Sequence, residues 1–194
     1  NGTGNASVAT SATTLGLTLN NVTGAIDLDA ATVDTVKTLN LTTATKDSAT
    51  ALIAAVVETL NVTGTNLVSL TNDLAALKTV TVSGTAGLTL AAATANTITS
   101  VDASATSGKV TTVIDGDIAT YKGGSGVDTL TVDAVLTTNV AKAITLGAGN
   151  DMITIGAETL TTGTIDGGAD TDTISIDAAA AVTASGNTTF AGKV

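Results

Sequence analysis

Four short stretches recur on a nearly fixed beat. VKTLNLT (Val36 to Thr42), VETLNVTG (Val57 to Gly64), LKTVTVSG (Leu77 to Gly84) and ITSVDAS (Ile98 to Ser104) start 21, 20 and 21 residues apart. Each reads apolar–polar–polar–apolar–polar–apolar–polar, and the alternation at its end marks a half-buried strand. Each period also holds a second apolar stretch, such as LVSL (Leu67 to Leu70), GLTL (Gly87 to Leu90) or AITL (Ala143 to Leu146). A unit this small cannot bury its apolar face alone and must stack on its own copies. The expected fold is therefore mainly all-β, a parallel β-solenoid or β-roll with coils of about 21 residues.

Composition sharpens this. The chain has one Tyr, one Phe and no Trp, so its core must be built from thin aliphatic layers. Thr alone supplies 43 of the 194 residues, and Thr, Val and Ile are stiff at χ1 and favour strands.

The beat continues in VDTLTVDA from Val127, NDMITIG from Asn150 and TDTISIDA from Thr171, at spacings of 23 and 21. The step of 29 from Ile98 to Val127 reads as an insertion in one coil. In that frame Leu39, Leu60, Val80, Val101, Leu130, Ile153 and Ile174 form one internal ladder. Lys37, Glu58, Lys78 and Thr99 then occupy the slot held later by Asp128, Asp151 and Asp172. Residues 1–194 are expected to form a single solenoid, plain over 1–109 and carrying glycine loops over 110–194. The start at Asn1, and Lys193 placed 21 residues after Asp172, suggest a segment of something longer.

Two stretches, 46–60 and 72–78, permit short helices, with Asp47 or Ser48 and Asn72 or Asp73 as caps. LAALKTVTV (Leu74 to Val82) fits the apolar spacing of a leucine-rich repeat, but the Asn or Cys position of that repeat is not filled.

Several functions are excluded by residue type. With no Cys and no His, zinc-type sites, Cys–His catalysis and Ser–His–Asp catalysis cannot be built. A net charge of −10 argues against nucleic acid and favours cations. No apolar run reaches the length of a membrane span; the longest is ALIAAVV (Ala51 to Val57). Carboxylate pairs such as Asp115/Asp117 and Asp170/Asp172 lack a partner base, so no enzymatic activity is expected. The outward set Thr38, Asn40, Thr42, repeated as Thr59, Asn61, Thr63 and Thr79, Thr81, Ser83, has the form of an ice-binding array, but Asp102 interrupts it and exposed Thr is ordinary on strands.

GGSGVDTLT (Gly123 to Thr131) carries the most specific chemistry. Alternate glycines permit positive φ and a tight turn that points carbonyls inward, and an Asp at its end adds a carboxylate. Carbonyls plus carboxylates make the oxygen-only environment that Ca²⁺ requires. Two further copies are LGAGNDMIT, which keeps Gly147, Gly149, Asp151 and Ile153, and GGADTDTIS, which keeps Gly167, Gly168, Asp172 and Ile174 and puts Asp170 at the third glycine. The candidate calcium ligands are the turn and carboxylate residues Gly124, Gly126, Asp128, Gly147, Gly149, Asp151, Asp166, Gly168, Asp170 and Asp172.

The first stretch resembles, position for position, the GGxGxDxUx nonapeptide of RTX calcium-binding repeats, U being a large apolar residue. The resemblance covers about residues 115–177. It implies ions between successive loops on one edge, with Asp115 and Asp117 completing a further site below the first. The Thr-, Ala-, Gly- and Asp-rich composition also resembles that of bacterial surface-layer proteins. That likeness implies a secreted structural subunit at the cell surface, exported by a type I system and self-associating into a calcium-dependent lattice. Contacts with cell-surface polysaccharide would come from regions outside this segment. The alternatives are the calcium-binding region of a type I-secreted hydrolase, or an adhesin.

Overall fold

The computed structural model describes residues 6–8, 10–29, 35–90, 97–132, 139–156, 159–160, 163–176 and 190–191. These form strands and turns only, so no described helix is long and apolar enough to cross a membrane.

The strands sort alternately into two parallel sheets. The first stacks β1 (Ala6–Ser7), β3 (Ile26–Asp27), β5 (Ser48–Ile53), β7 (Leu67–Asp73), β9 (Gly87–Leu90), β11 (Val110–Ile114), β13 (Thr129–Val132), β16 (Met152–Ile155) and β19 (Thr173–Ile176). The second stacks β2 (Thr14–Leu19), β4 (Thr38–Thr43), β6 (Thr59–Gly64), β8 (Thr79–Gly84), β10 (Ser100–Thr106), β12 (Thr120–Lys122), β15 (Ile144–Thr145), β18 (Ile165–Asp166) and β20 (Phe190–Ala191). A small third sheet pairs β14 (Asn139–Val140) with β17 (Thr159–Leu160). The chain crosses from one sheet to the other twice per coil, and the aliphatic core lies between them. This is the expected β-solenoid.

Register follows from the pleat: one residue in two points inward, and the parallel ladder puts like positions on top of one another. In the second sheet Leu39, Leu60, Val80, Val101, Tyr121, Ile144 and Ile165 stack in one inward column, all almost fully buried. Leu130, Ile153 and Ile174 are not in that column. They lie in the first sheet, where Leu130 stacks on Thr112. The step of 29 residues is thus no insertion. It is the distance from the start of a second-sheet strand to the start of a first-sheet strand one coil on. Both strands end in the same apolar alternation, so the pattern alone does not distinguish the sheets. Lys37, Glu58, Lys78 and Thr99 likewise do not share a slot with Asp128, Asp151 and Asp172; they precede second-sheet strands and the aspartates precede first-sheet strands.

The expected helices are also replaced. Residues 48–53 form β5, in which Ser48, Thr50 and Leu52 are buried while Ala49 is exposed and Ala51 and Ile53 are half-buried. Apolar residues on both faces mask this alternation in the sequence. Residues 72–73 complete β7, and the side chains of Asn72 and Asp73 lie outside the described residues, as does Lys193. The helix-like pieces that follow are tight turns, closed by Val57 N–H to Ala54 C=O at 3.2 Å and Leu77 N–H to Leu74 C=O at 3.0 Å.

Since each inward column is tightly packed, truncating Leu60, which is fully buried, to Ala should cost about 2–5 kcal/mol. Thr42→Ala, on the outer face of the adjacent coil, should cost about 0.5 kcal/mol or less. Denaturant midpoints of the two variants give the comparison, and equal losses would contradict this register.

Candidate metal centre

All the turns that run from the second sheet into the first share one edge, and they stack on a continuous amide ladder. Thr85 N–H donates to Gly64 C=O (3.1 Å), Ser107 to Gly84 (3.1 Å), Ser125 to Thr106 (3.0 Å), Ala148 to Gly124 (2.8 Å) and Ala169 to Gly147 (2.8 Å). The turn therefore begins well before residue 110; Gly64 and Gly84 already adopt positive φ there. Stacked this closely, the loops leave no room for side chains at certain positions. A Cβ on Gly147 would lie 2.2 Å from the Gly124 carbonyl oxygen, and one on Gly168 would lie 1.8 Å from that of Gly147. Both residues also need positive φ, at +107° and +90°. Asp170 holds positive φ without being glycine, so the third loop keeps the turn despite its departure from the motif.

From each of these turns the same count of four residues leads to an inward position: Gly64 to Val68, Gly84 to Leu88, Thr106 to Val110, Gly124 to Asp128, Gly147 to Asp151, Gly168 to Asp172. Strand register stacks these into one column. Its lower members are aliphatic. Its upper members are three aspartates, only 0%, 1% and 4% exposed. The structure thus brings Asp128, Asp151 and Asp172 together, at the inner side of the loops.

Each aspartate reaches down one level. Val110 N–H donates to Asp128 Oδ1 (2.8 Å), Asp128 N–H to Asp151 Oδ1 (2.6 Å) and Asp151 N–H to Asp172 Oδ1 (3.0 Å). In the plain coils this bond goes to a main-chain carbonyl, as from Leu88 N–H to Lys109 C=O (3.0 Å). One oxygen of each carboxylate therefore replaces a ladder acceptor at the loop–strand junction. The second oxygens differ. Asp128 Oδ2 accepts the Tyr121 hydroxyl at 2.8 Å, whereas Asp151 Oδ2 and Asp172 Oδ2 are buried with no hydrogen-bond partner.

The other candidates flank this column. Asp166 folds back to accept Gly168 N–H (3.0 Å), and exposed Asp170 accepts Gly149 N–H (3.1 Å). Gly126 and Gly149 occupy the same step of successive loops; a Cβ on Gly149 would meet the Gly126 carbonyl oxygen at 2.6 Å. Asp115 and Asp117 do not join them. They lie after β11, in the turn back to β12 on the opposite edge, where Asp115 Oδ1 accepts Asp117 N–H (2.9 Å). The sequence reads Tyr121 as a core or lid residue, and it is buried; its bond to Asp128 was not legible, because β12 has a single inward residue and does not show the longer apolar alternation.

Burial without a counter-charge disfavours ionisation. It raises Asp128 above the ordinary carboxylate range, despite the Val110, Tyr121 and Gly124 hydrogen bonds and the nearby Lys109. Burial, together with the charges of Asp128, Asp172 and Asp170, pushes Asp151 up to about 7, against the opposing bond from the Asp128 amide. Burial and the Asp128 carboxylate push Tyr121 upward as well. Among the described residues no three acidic side chains converge on one point. The Asp151 and Asp172 levels each offer one free carboxylate oxygen amid stacked backbone, so a cation there would draw its remaining ligands from main-chain carbonyls. That donor set suits a hard cation such as Ca²⁺.

The folded state keeps a proton on Asp151 that the unfolded chain releases above its ordinary value of 3.8. In chelator, stability should thus fall as pH rises from about 4 to about 7 and level off above. Asp151→Asn should flatten that part of the profile, as read from urea midpoints across the range. An unchanged slope in the variant would mean that Asp151 is not the group responsible.

No protein-family profile, no curated protein and no solved structure matches this chain.

Proposed function

We propose that this segment is a structural, calcium-stiffened unit of a secreted protein that assembles as a lattice at a bacterial cell surface. The observation that carries the calcium reading is the pair of buried, unpartnered oxygens on Asp151 and Asp172, held between stacked glycine loops. A buried carboxylate oxygen with no donor is costly, and a cation at each of the two levels offsets that cost while removing repulsion along the column. Asp151 and Asp172 supply the carboxylates; the loops around Gly124, Gly126, Gly147, Gly149 and Gly168 supply main-chain oxygen. Binding and folding are then linked, because the levels exist only when the coils are stacked.

The lattice reading rests on the distribution of polar chemistry. The interior is mostly aliphatic, the outward columns repeat small polar groups such as Asn40 and Asn61, whose side chains hydrogen-bond at 2.8 Å, and Asp128, Asp151, Asp166, Asp170 and Asp172 lie at the glycine loops of the later coils. This is chemistry for packing flat faces side by side. The resemblance to RTX repeats supports export by a type I system.

Calcium at about a hundredfold excess over its dissociation constant should add roughly 2.7 kcal/mol per site relative to chelator, raising the unfolding midpoint by roughly 5–10 °C for each. Light scattering on the same samples should show ordered growth in calcium alone. An unmoved midpoint would retire calcium. A higher midpoint with a monomeric scattering profile would retire the lattice and favour a calcium-binding secretion region of an exported hydrolase or adhesin.

A further inference from the structure

We propose that Tyr121 terminates the row of cation sites. Its hydroxyl takes the place of a cation at Asp128, so that three stacked aspartates make two sites. The inference rests on the calcium reading above and specifies where it applies.

Each aspartate carboxylate lies between its own coil and the one below, because its Oδ1 accepts an amide from the coil below. Asp128 thus belongs to the level beneath the first glycine loop, Asp151 to the level between the first and second loops, and Asp172 to that between the second and third. The three levels share one local layout. Seven residues before each aspartate, the chain places an inward side chain from the second sheet: Tyr121 before Asp128, Ile144 before Asp151, Ile165 before Asp172. These three stack in a single column and are all buried. Only the lowest carries a donor, and its hydroxyl meets Asp128 Oδ2 at 2.8 Å. The isoleucines offer nothing, and there the corresponding oxygens of Asp151 and Asp172 stand unpartnered.

The position of the tyrosine fits this role. Below Asp128 the column is aliphatic, with Val110, Leu88 and Val68, and the turn beneath is the Thr106–Gly108 step. The inward side chain beneath the Asp128 carboxylate is thus Val110, whereas Asp151 and Asp172 each have an aspartate beneath them. A phenol brings a hydrogen-bond donor without a formal charge, and so satisfies the lowest carboxylate at the border of the apolar stack. The level that the motif completes most fully is therefore the one that needs no ion, and the motif overstates the ion count by one.

Calcium titration of the chelator-stripped chain by calorimetry, with the ion count confirmed by equilibrium dialysis, tests this. Two ions should bind the column in the unaltered chain, matching the orphan oxygens of Asp151 and Asp172; Asp29 Oδ1 and Asp115 Oδ2 are also unpartnered but lie outside the column. Asp151→Asn and Asp172→Asn should each lose one. Asp128→Asn should keep both, with affinity changed less than about threefold. Tyr121→Phe removes only the hydroxyl and leaves Asp128 Oδ2 without that bond, like Asp151 Oδ2; it should lower the unfolding midpoint in chelator and raise the count to three. Ile144→Tyr is the converse variant. By supplying Asp151 with a hydroxyl it should reduce the count to one. Loss of an ion in Asp128→Asn, or a count that stays at two in Tyr121→Phe, would overturn the role of Tyr121 while leaving calcium binding intact. No binding to the unaltered chain would overturn both.

Discussion

Among the described residues every strand inside the two large sheets pairs with the coil above and the coil below, and the parallel register allows no lateral escape. That constraint governs the rest. A residue at one step of a coil meets the residues at the same step of its neighbours, so each column must be compatible with itself. Leucine on leucine satisfies this at once. Asparagine does so by side-chain hydrogen bonds, as between Asn61 and Asn40. Charge is the difficult case, and two solutions coexist. On the surface, Glu58 sits between Lys37 and Lys78 at 3.2 and 3.0 Å, an alternation of sign in which each charge attracts its neighbour. In the interior, Asp128, Asp151 and Asp172 repeat one sign, and that column needs something from outside the backbone to balance it.

The same constraint explains what the sequence made readable. The beat of the repeat, the parallel solenoid and the aspartate at each loop end all depend on recurrence, and recurrence is visible in a string of letters. Leu60 stacking on Leu39, and Ile153 on Leu130, follow from it directly. The assignment of Leu130 to a sheet does not. Both halves of a coil end in the same apolar alternation, and β12 between them is only three residues long. The turn on the glycine edge was legible in principle from Gly64 and Gly84, each four residues before a buried aliphatic residue, but those copies lack the aspartate that draws the eye.

What no periodicity could reveal is the pairing of Tyr121 with Asp128. It joins residues from the two sheets across the interior, and it occurs in one coil only. The apparent helix at 46–60 failed for a related reason. In β5, Ser48 and Thr50 face inward and Ala49 and Ala51 outward, so polarity and burial run against each other. Ser48 succeeds inside because its hydroxyl accepts Val22 N–H at 3.1 Å, and Thr50 because its hydroxyl donates to Gly24 C=O.

The changeover in the inward column from Val68, Leu88 and Val110 to Asp128 also gives the molecule a direction. Coils on the aliphatic side close without help and present a finished edge of main-chain donors and acceptors. Coils on the acidic side have that edge to grow from, but those of Asp151 and Asp172 each bury a carboxylate oxygen that the stacked chain leaves without a partner. The plain coils are in this sense a primer and the acidic coils an extension, one that external ions would meter under the calcium reading proposed above. If the proposal of a secreted, calcium-binding unit holds, such a chain would leave a calcium-poor cell with the primer ready to fold and the extension open until it reached a medium that could complete it.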